Sequence, residues 1–425
     1  MPDMNRLGAV EAARKLARRE ITAQALLADC LARIREREPV VHAFTHIDFD
    51  AAMARARVLD AQPSDGLLHG LPLGVKDVFD TVDMPTAYGS PIYAGHRPAS
   101  DAASVALARA AGAVVVGKTV TTEFATFHPG ATCNPHDVSR TPGGSSSGSA
   151  AAVADTMVPL AFGTQTAGSI VRPAAYCGVV GYKPTFGTVS RVGVKMISDT
   201  LDTIGGFARS VPDVALFVAA LSGRRELLID DAARDAPRIG LCRTYEWDRA
   251  RPETVQLFEA AARQLRDAGA LVRDVTLPRE FAGLAAAQTK VMVHEVAECL
   301  AFERLARPDA LSAELVEMIG LGVAVPLAEY DAARDLARRT RAMLPDVFEG
   351  LDVLVAPSTS GEAPAGIHAT GDPLFNRMWT LLRVPCVHVP ARSASHRLPL
   401  GVSVVGRLRA DRATLLAADW IHARL

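Results

Sequence analysis

Lysine is scarce in this chain. Of 46 basic residues only Lys15, Lys76, Lys118, Lys183, Lys195 and Lys290 are lysines, and the rest are arginine. A lysine in a constrained loop therefore stands out. Excess charge is lacking too: 47 acidic residues nearly cancel the 46 basic ones, leaving −1. Without a field of one sign there is nothing to gather polyanions or an anionic lipid surface, so neither nucleic acid nor membrane is expected as a partner. No run of about 18 apolar residues free of charge occurs, which removes a spanning helix from the expectations. The six cysteines (Cys30, Cys133, Cys177, Cys242, Cys299, Cys386) contain no C-x-x-C pair. That fits neither a zinc site nor a small disulfide scaffold and reads as reduced thiols in a cytosol. Residues 1–10 carry charge and no apolar core, unlike a secretory signal. The Arg-rich stretch that follows is interrupted by Glu11, Glu20 and Asp29, unlike a transit sequence, so the cytoplasm is the expected compartment.

What is present is enough for a large core. The 425 residues are 49% hydrophobic and 22% charged, an ordinary soluble balance that argues against disorder, coiled coil or collagen. Apolar residues from Val10 to Ile34 recur at three- and four-residue steps and predict two helices broken near Glu20-Ile21-Thr22. A further helix is expected after Phe49 to about Leu59, a short strand at Leu73 to Val75, a helix at Ser104 to Ala111 and a buried strand at Ala113 to Val116 ended by Gly117. Farther on, strands are expected at Pro237 to Cys242, Leu271 to Val275, Leu351 to Ala356 and Leu400 to Val405. Helices are expected at Pro252 to Ala268, 283–306 and 327–349. Strands interleaved with helices predict one integrated α/β domain with a covered sheet.

Between Thr141 and Gly206 the composition turns to Gly, Ser, Thr and Ala. Gly143-Gly144-Ser145-Ser146-Ser147-Gly148-Ser149 reads alone as a flexible linker. The helix formers Ala150 to Ala154 follow it, so it feeds a helix N-terminus with unpaired N–H groups. A phosphate loop would need Gly-Lys-Ser/Thr at its end, which is absent. Gly163-Thr164-Gln165-Thr166-Ala167-Gly168-Ser169-Ile170-Val171-Arg172 contains no proline, so every amide is free to donate beside a serine hydroxyl. Acyl transfer needs this combination of a nucleophile and donors for oxyanion charge. No histidine sits in a Gly-x-Ser-x-Gly hydrolase context. Lys76, in Leu73-Gly74-Val75-Lys76-Asp77-Val78-Phe79, is apolar on both sides. It is either a buried neutral base or the partner of Asp77 or Asp80.

In order and spacing, with 69 residues from Lys76 to Ser145 and 24 from Ser145 to Ser169, these three pieces resemble the amidase signature family. The resemblance runs on through Pro173-Ala174-Ala175-Tyr176-Cys177-Gly178 and Gly181-Tyr182-Lys183-Pro184-Thr185. It also takes in Asn134-Pro135, the segment Pro385 to Pro390 and the segment Leu398 to Gly406, covering essentially the whole chain. It implies a single domain over 1–425 with a mixed sheet covered by helices: N-terminal helices in 1–60, a signature core in 66–210 and the remainder in 211–425. It also implies an amide hydrolase with Ser169 as nucleophile, Ser145 as bridge behind a cis Gly144–Ser145 peptide, and Lys76 as base. The oxyanion donors would be the N–H groups of Thr166, Ala167, Gly168 and Ser169. No metal or organic cofactor is implied; the partner is a small amide, and a homodimer is compatible with the resemblance.

Three positions depart from the common family pattern. Gln165 stands where Asp is usual, Ala167 replaces Gly, and the arginine often found two places after the nucleophile has moved to Arg172, behind Val171. This variant resembles the malonamidase branch, together with the segment Gly371 to Thr380, and implies a monoamide of a short dicarboxylic acid such as malonamate. Arg172 would then hold the substrate carboxylate, with Gly144 and Gln165 also at the substrate; Arg172 could instead pair with Asp199 or Asp202. Other readings are an amidotransferase subunit for mischarged tRNA with partner chains and glutamine, and an amidase for other small or aryl amides. A cysteine amidase using Cys177 or Cys133 and a non-enzymatic binding protein are the remaining ones.

Overall fold

Eleven strands share one mixed sheet in the computed structural model, which describes residues 3–230, 235–391 and 397–425. In chain order they are β1 (Phe44–Ile47), β2 (Pro72–Lys76), β3 (Val114–Thr119), β4 (Leu160–Gln165), β5 (Val180–Lys183), β6 (Thr203–Ala208), β7 (Arg238–Cys242), β8 (Leu271–Val275), β9 (Val353–Pro357), β10 (Cys386–Ala391) and β11 (Leu400–Gly406). Across the sheet the order is β1-β3-β2-β4-β6-β5-β10-β11-β9-β7-β8. β2 runs parallel to β3 and β4, and β7 parallel to β8 and β9; the remaining pairs are antiparallel. The α/β class with a mixed, helix-covered sheet is thus what the chain folds into.

Helices Ala9–Ala17 and Ala23–Val41 part at the expected place, because the Thr22 hydroxyl accepts from Ala25 N and starts a new helix. The 1–60 stretch also holds β1 and helix Phe49–Asp60. β3 does not stop at Gly117. A side chain there would strike His46 O at 2.3 Å, so glycine is what lets β1 pair alongside, and the strand runs on to Thr119. The long helical stretches split, into Leu284–Cys299 with Ala301–Ala306 and into Leu327–Ala342 with Leu344–Val347. β4 and β6 escape sequence periodicity. Both are buried along their whole length, and Gly163 and Gly206 lie against the rings of Phe207 and Phe217, so small residues alternate with large ones instead of polar with apolar.

The signature core is built where β2, β4 and their connections meet. Helix Ser147–Ala154 packs on β4 and β2, and short helix Val171–Cys177 packs on it in turn. The ends of β2 and β4 and the starts of both helices therefore converge on one spot.

A second buried lysine braces the neighbouring strand. Lys118 on β3 lies 3.1 Å from Asp77 and donates to Phe79 O (2.7 Å) and Thr86 Oγ1 (2.5 Å), with both ionic partners buried. Removing one partner of a buried pair leaves the other charge uncompensated, at about 3–5 kcal/mol. Lys118→Met should lose that much stability in urea unfolding, and adding Asp77→Asn should recover a large part. A loss under about 1 kcal/mol would show that the pair does not brace the sheet.

Candidate active site

Lys76 ends β2, and the apolar residues on either side of it place its side chain out of solvent, with 0% exposure. Its Nζ lies 2.8 Å from Ser145 Oγ and 2.7 Å from Thr164 Oγ1. Neither neighbouring acid reaches it: Asp77 faces Lys118, and Asp80 accepts from Tyr88 Oη at 2.6 Å. With hydroxyls in place of a carboxylate, burial lowers the amine to about 7, Asp202 pulling it up a little and Arg172 pushing it down. A neutral amine can donate to Thr164 and accept from Ser145.

Ser145 is delivered by a turn that only glycine can make. Gly143 has φ +81°, and a side chain on Gly144 would meet Thr370 Cγ2 at 2.6 Å. The Gly144–Ser145 peptide is cis. Behind it Ser146 Oγ contacts Thr164 O (3.3 Å), tying the loop to β4. The Gly144 carbonyl is gripped by Arg172, from Nη2 at 2.7 Å and Nε at 3.2 Å, while Arg172 Nη1 donates to Gly371 O at 2.5 Å. Arg172 is 1% exposed, and burial lowers it to about 10. The acids weighed as its partners lie elsewhere. Asp202 accepts from Thr166 Oγ1, Ile197 N and Ser198 N, and the Asp199 carbonyl takes a bond from Arg191.

Ser169 follows β4 in the turn before helix Val171–Cys177, and among the described residues its Oγ has no hydrogen-bond partner. The backbone N–H groups of Thr166, Ala167, Gly168 and Ser169 likewise meet no protein acceptor among the described residues. Four consecutive unpaired donors beside a hydroxyl are what a developing oxyanion requires. Gln165, expected at the substrate, is turned inward instead: its Oε1 accepts from Ile170 N (2.9 Å) and Val171 N (3.0 Å), and its Nε2 donates to Thr380 Oγ1 (2.9 Å). It fastens the serine turn. Ser169, Thr166, Ala167 and Arg172 line a cavity of about 10 Å³, room for roughly one water. Phe127, Ile197, Met292 and Met318 wall it in.

The cysteines are free, and Cys177 is fully buried with its thiol pushed far up by burial, the reverse of a reactive thiolate. Cys133 is also shifted up by burial.

A family model described as Amidase matches residues 25–415. The chain belongs to the amidase family. A glutamyl-tRNA(Gln) amidotransferase subunit of Acidothermus cellulolyticus is 37% identical over 97% of this amidase and 93% of its own length. A crystal structure of an amidase superposes with TM-score 0.90 at 30% identity, covering 99% of this chain and 100% of the other. The native peptide amidase of Stenotrophomonas maltophilia gives 0.82 at 31% identity over 99% and 97%. Amide hydrolysis is the activity this kinship carries. None of these three bears the name of a malonamidase, so the branch expected from the segment 164–173 finds no support among them.

Three residues of this amidase site had no expected role, Thr164, Gln288 and Thr380, and Asp202, expected as a possible partner of Arg172, meets Thr166 instead. Each joins the site through a contact spanning 36 to 215 residues; Thr164 and Thr380 lie in segments that carry the resemblance, and Gln288 lies in none.

The scarcity of lysine makes the Lys76 environment directly measurable. With six lysines, ¹³C labelling at the ε-carbon gives six resonances, and Lys76 should titrate near pH 7 while exposed lysines titrate near 10.4. A Lys76 midpoint near 10 would show a charged, structural lysine.

Proposed function

We propose that this amidase cleaves small primary amides through an acyl-enzyme on Ser169, and the observation that carries the proposal is the buried, carboxylate-free amine of Lys76 against Ser145. Neutral Lys76 accepts the Ser145 proton as Ser145 accepts that of Ser169, and Ser169 Oγ bonds to the amide carbon. The carbonyl oxygen takes the negative charge among the N–H groups of Thr166, Ala167, Gly168 and Ser169. When the tetrahedral centre collapses, the C–N bond breaks and the relay returns the proton to the leaving nitrogen, releasing ammonia. Water then attacks the ester by the same route, giving the acid and free Ser169.

For the substrate, the chemistry of Arg172 favours a primary amide that also bears a carboxylate. A guanidinium has five N–H donors, and three hydrogen bonds to Gly144 O and Gly371 O leave two without an acceptor among the described residues, beside the one-water cavity that Arg172 shares with Ser169 and that a substrate would have to open. Two kinds of amide meet this description. Relatives that are glutamyl-tRNA(Gln) amidotransferase subunits, 35 to 37% identical over nearly the whole chain, support glutamine as donor with partner subunits that use the ammonia. The arginine three residues from Ser169 supports a shorter acid, malonamate or succinamate, hydrolysed by the chain alone.

Ser169→Ala should abolish ammonia release, and a phosphonate or sulfonyl fluoride should label Ser169; labelling at Cys177 would overturn the scheme. Across glutamine, malonamate, succinamate and butyramide, with and without co-purified chains, the carboxylate-bearing amides should exceed butyramide by about 10- to 100-fold in kcat/KM. Arg172 also holds the Gly144 carbonyl, so Arg172→Lys is read by the ratio of acidic to neutral amide and not by rate. Loss of both in equal proportion would remove Arg172 from the substrate.

A further inference from the structure

The peptides of the oxyanion loop are held from behind by side chains far away in sequence. Thr166 O accepts from Gln288 Nε2 at 3.0 Å, and Ala167 O accepts from Thr380 Oγ1 at 2.7 Å. In a planar trans peptide the carbonyl and the next N–H point in opposite directions. Fixing Thr166 O therefore aims the Ala167 N–H, and fixing Ala167 O aims the Gly168 N–H, away from the anchors. Those are two of the four donors that meet no protein acceptor among the described residues. Gly168 completes the arrangement, since a side chain there would strike Pro373 Cβ at 2.9 Å and Asn376 at 3.1 Å, so the loop lies directly on helix Leu374–Leu381, which carries Thr380.

Thr380 sits in a directed chain. Gln165 Nε2 donates to Thr380 Oγ1, whose one proton faces Ala167 O at 2.7 Å and, farther off, Asn376 O at 3.1 Å, while Gln165 Oε1 accepts the amides of Ile170 and Val171. Each bond polarises the next. Gln288, on helix Leu284–Cys299, is fully buried, and its Oε1 has no hydrogen-bond partner among the described residues. An orphaned buried acceptor is a cost to folding, and such costs gather where function requires the group. Leucine or methionine would fill that place without the orphan and would lose the grip on Thr166 O.

We propose that Gln288 and Thr380 are positioning residues that set the direction of the Ala167 and Gly168 N–H donors and so tune stabilisation of the oxyanion. The proposal rests on Ser169 being the nucleophile. It assigns to two residues with no expected catalytic role a share of the rate that neither supplies by touching substrate.

The test compares Thr380→Val, Thr380→Ser and Gln288→Leu in the full chain, using the best amide of the panel. Thr380→Val and Gln288→Leu should lower kcat about 10- to 100-fold with KM within about threefold. Thr380→Ser, which keeps the hydroxyl, should return kcat to near wild type. Phosphonate labelling of Ser169, which builds negative oxygen at the same place, should slow in step with kcat, and the acid-limb midpoint should stay put because Lys76 is untouched. Gln288→Leu exchanges one orphaned buried acceptor, Gln288 Oε1, for another, Thr166 O, so its Tm should stay near wild type while activity falls, a combination that a purely packing role does not produce. Wild-type kcat in both Thr380→Val and Gln288→Leu would overturn the proposal, as would failure of Thr380→Ser to rescue or a Gln288→Leu loss of activity that tracks a loss of Tm. If Ser169→Ala still turned over, the nucleophile reading would fall and this one with it. A dead Ser169→Ala beside fully active Thr380→Val and Gln288→Leu would sink the positioning role alone.

Discussion

An amine kept out of water, its hydrogen-bond partners among the described residues being the hydroxyls of Ser145 and Thr164, is the constraint on which this site depends. Moving Lys76 from the ordinary lysine value of 10.5 to about 7 costs the folded state on the order of 5 kcal/mol. The folded value is the lowered one. The penalty is therefore absent above about pH 10.5 and reaches full size as the pH falls to about 7, where the folded protein also takes up the proton. A carboxylate beside Nζ would raise the amine's pKa and hold it protonated, erasing the penalty together with the free base that can accept a proton. The fold avoids this by turning Asp77 to Lys118 and Asp80 to Tyr88, so that the two acids nearest in sequence are occupied elsewhere.

Everything around the amine serves to hold two loops at fixed distance from it. Thr164 on β4 anchors Nζ and, through its backbone, Ser146, so strand and serine loop move as one piece. Arg172 clamps the Gly144 carbonyl from the start of the helix that follows Ser169, linking the Ser145 loop to the Ser169 turn. Among the described residues its buried charge has no carboxylate hydrogen-bond partner and is satisfied by carbonyl oxygens, which accept a guanidinium without neutralising it. The same residue thus fixes geometry and keeps positive charge near Lys76, which favours the neutral amine.

Sequence reading reached the parts of this molecule that obey local rules. The Thr22 cap parted two helices, and amphipathic spacing from Pro252 onward marked the helix Pro252–Asp267. It failed at β4 and β6, where burial on both faces and close ring contacts favour glycine over the alternation that marks a half-buried strand. It also failed at Gly117, whose role is to admit a neighbouring backbone. At the site, the pieces holding Lys76, Ser145 and Ser169 stand out in the sequence because they are short and ordered, and the fold brings Lys76 Nζ to 2.8 Å from Ser145 Oγ. Gln165 was read as a substrate contact since its place in the motif was visible and its partner Thr380, 215 residues on, was not. Gln288 carries no local signature, and the segment that ends at Thr380 gives no sign of the carbonyl Thr380 holds. A residue that acts by gripping a distant carbonyl is revealed only once the chain has folded.

The central claim, that a neutral buried lysine drives acylation through Ser145, is tested most directly by the pH dependence of single-turnover acylation. The rate should rise with pH along a limb centred near 7, because protonated Lys76 cannot accept the serine proton, and that limb should vanish in Lys76→Ala together with most of the rate. A limb centred near 4, or one that survives in Lys76→Ala, would assign the base to a carboxylate or to another group and contradict the account.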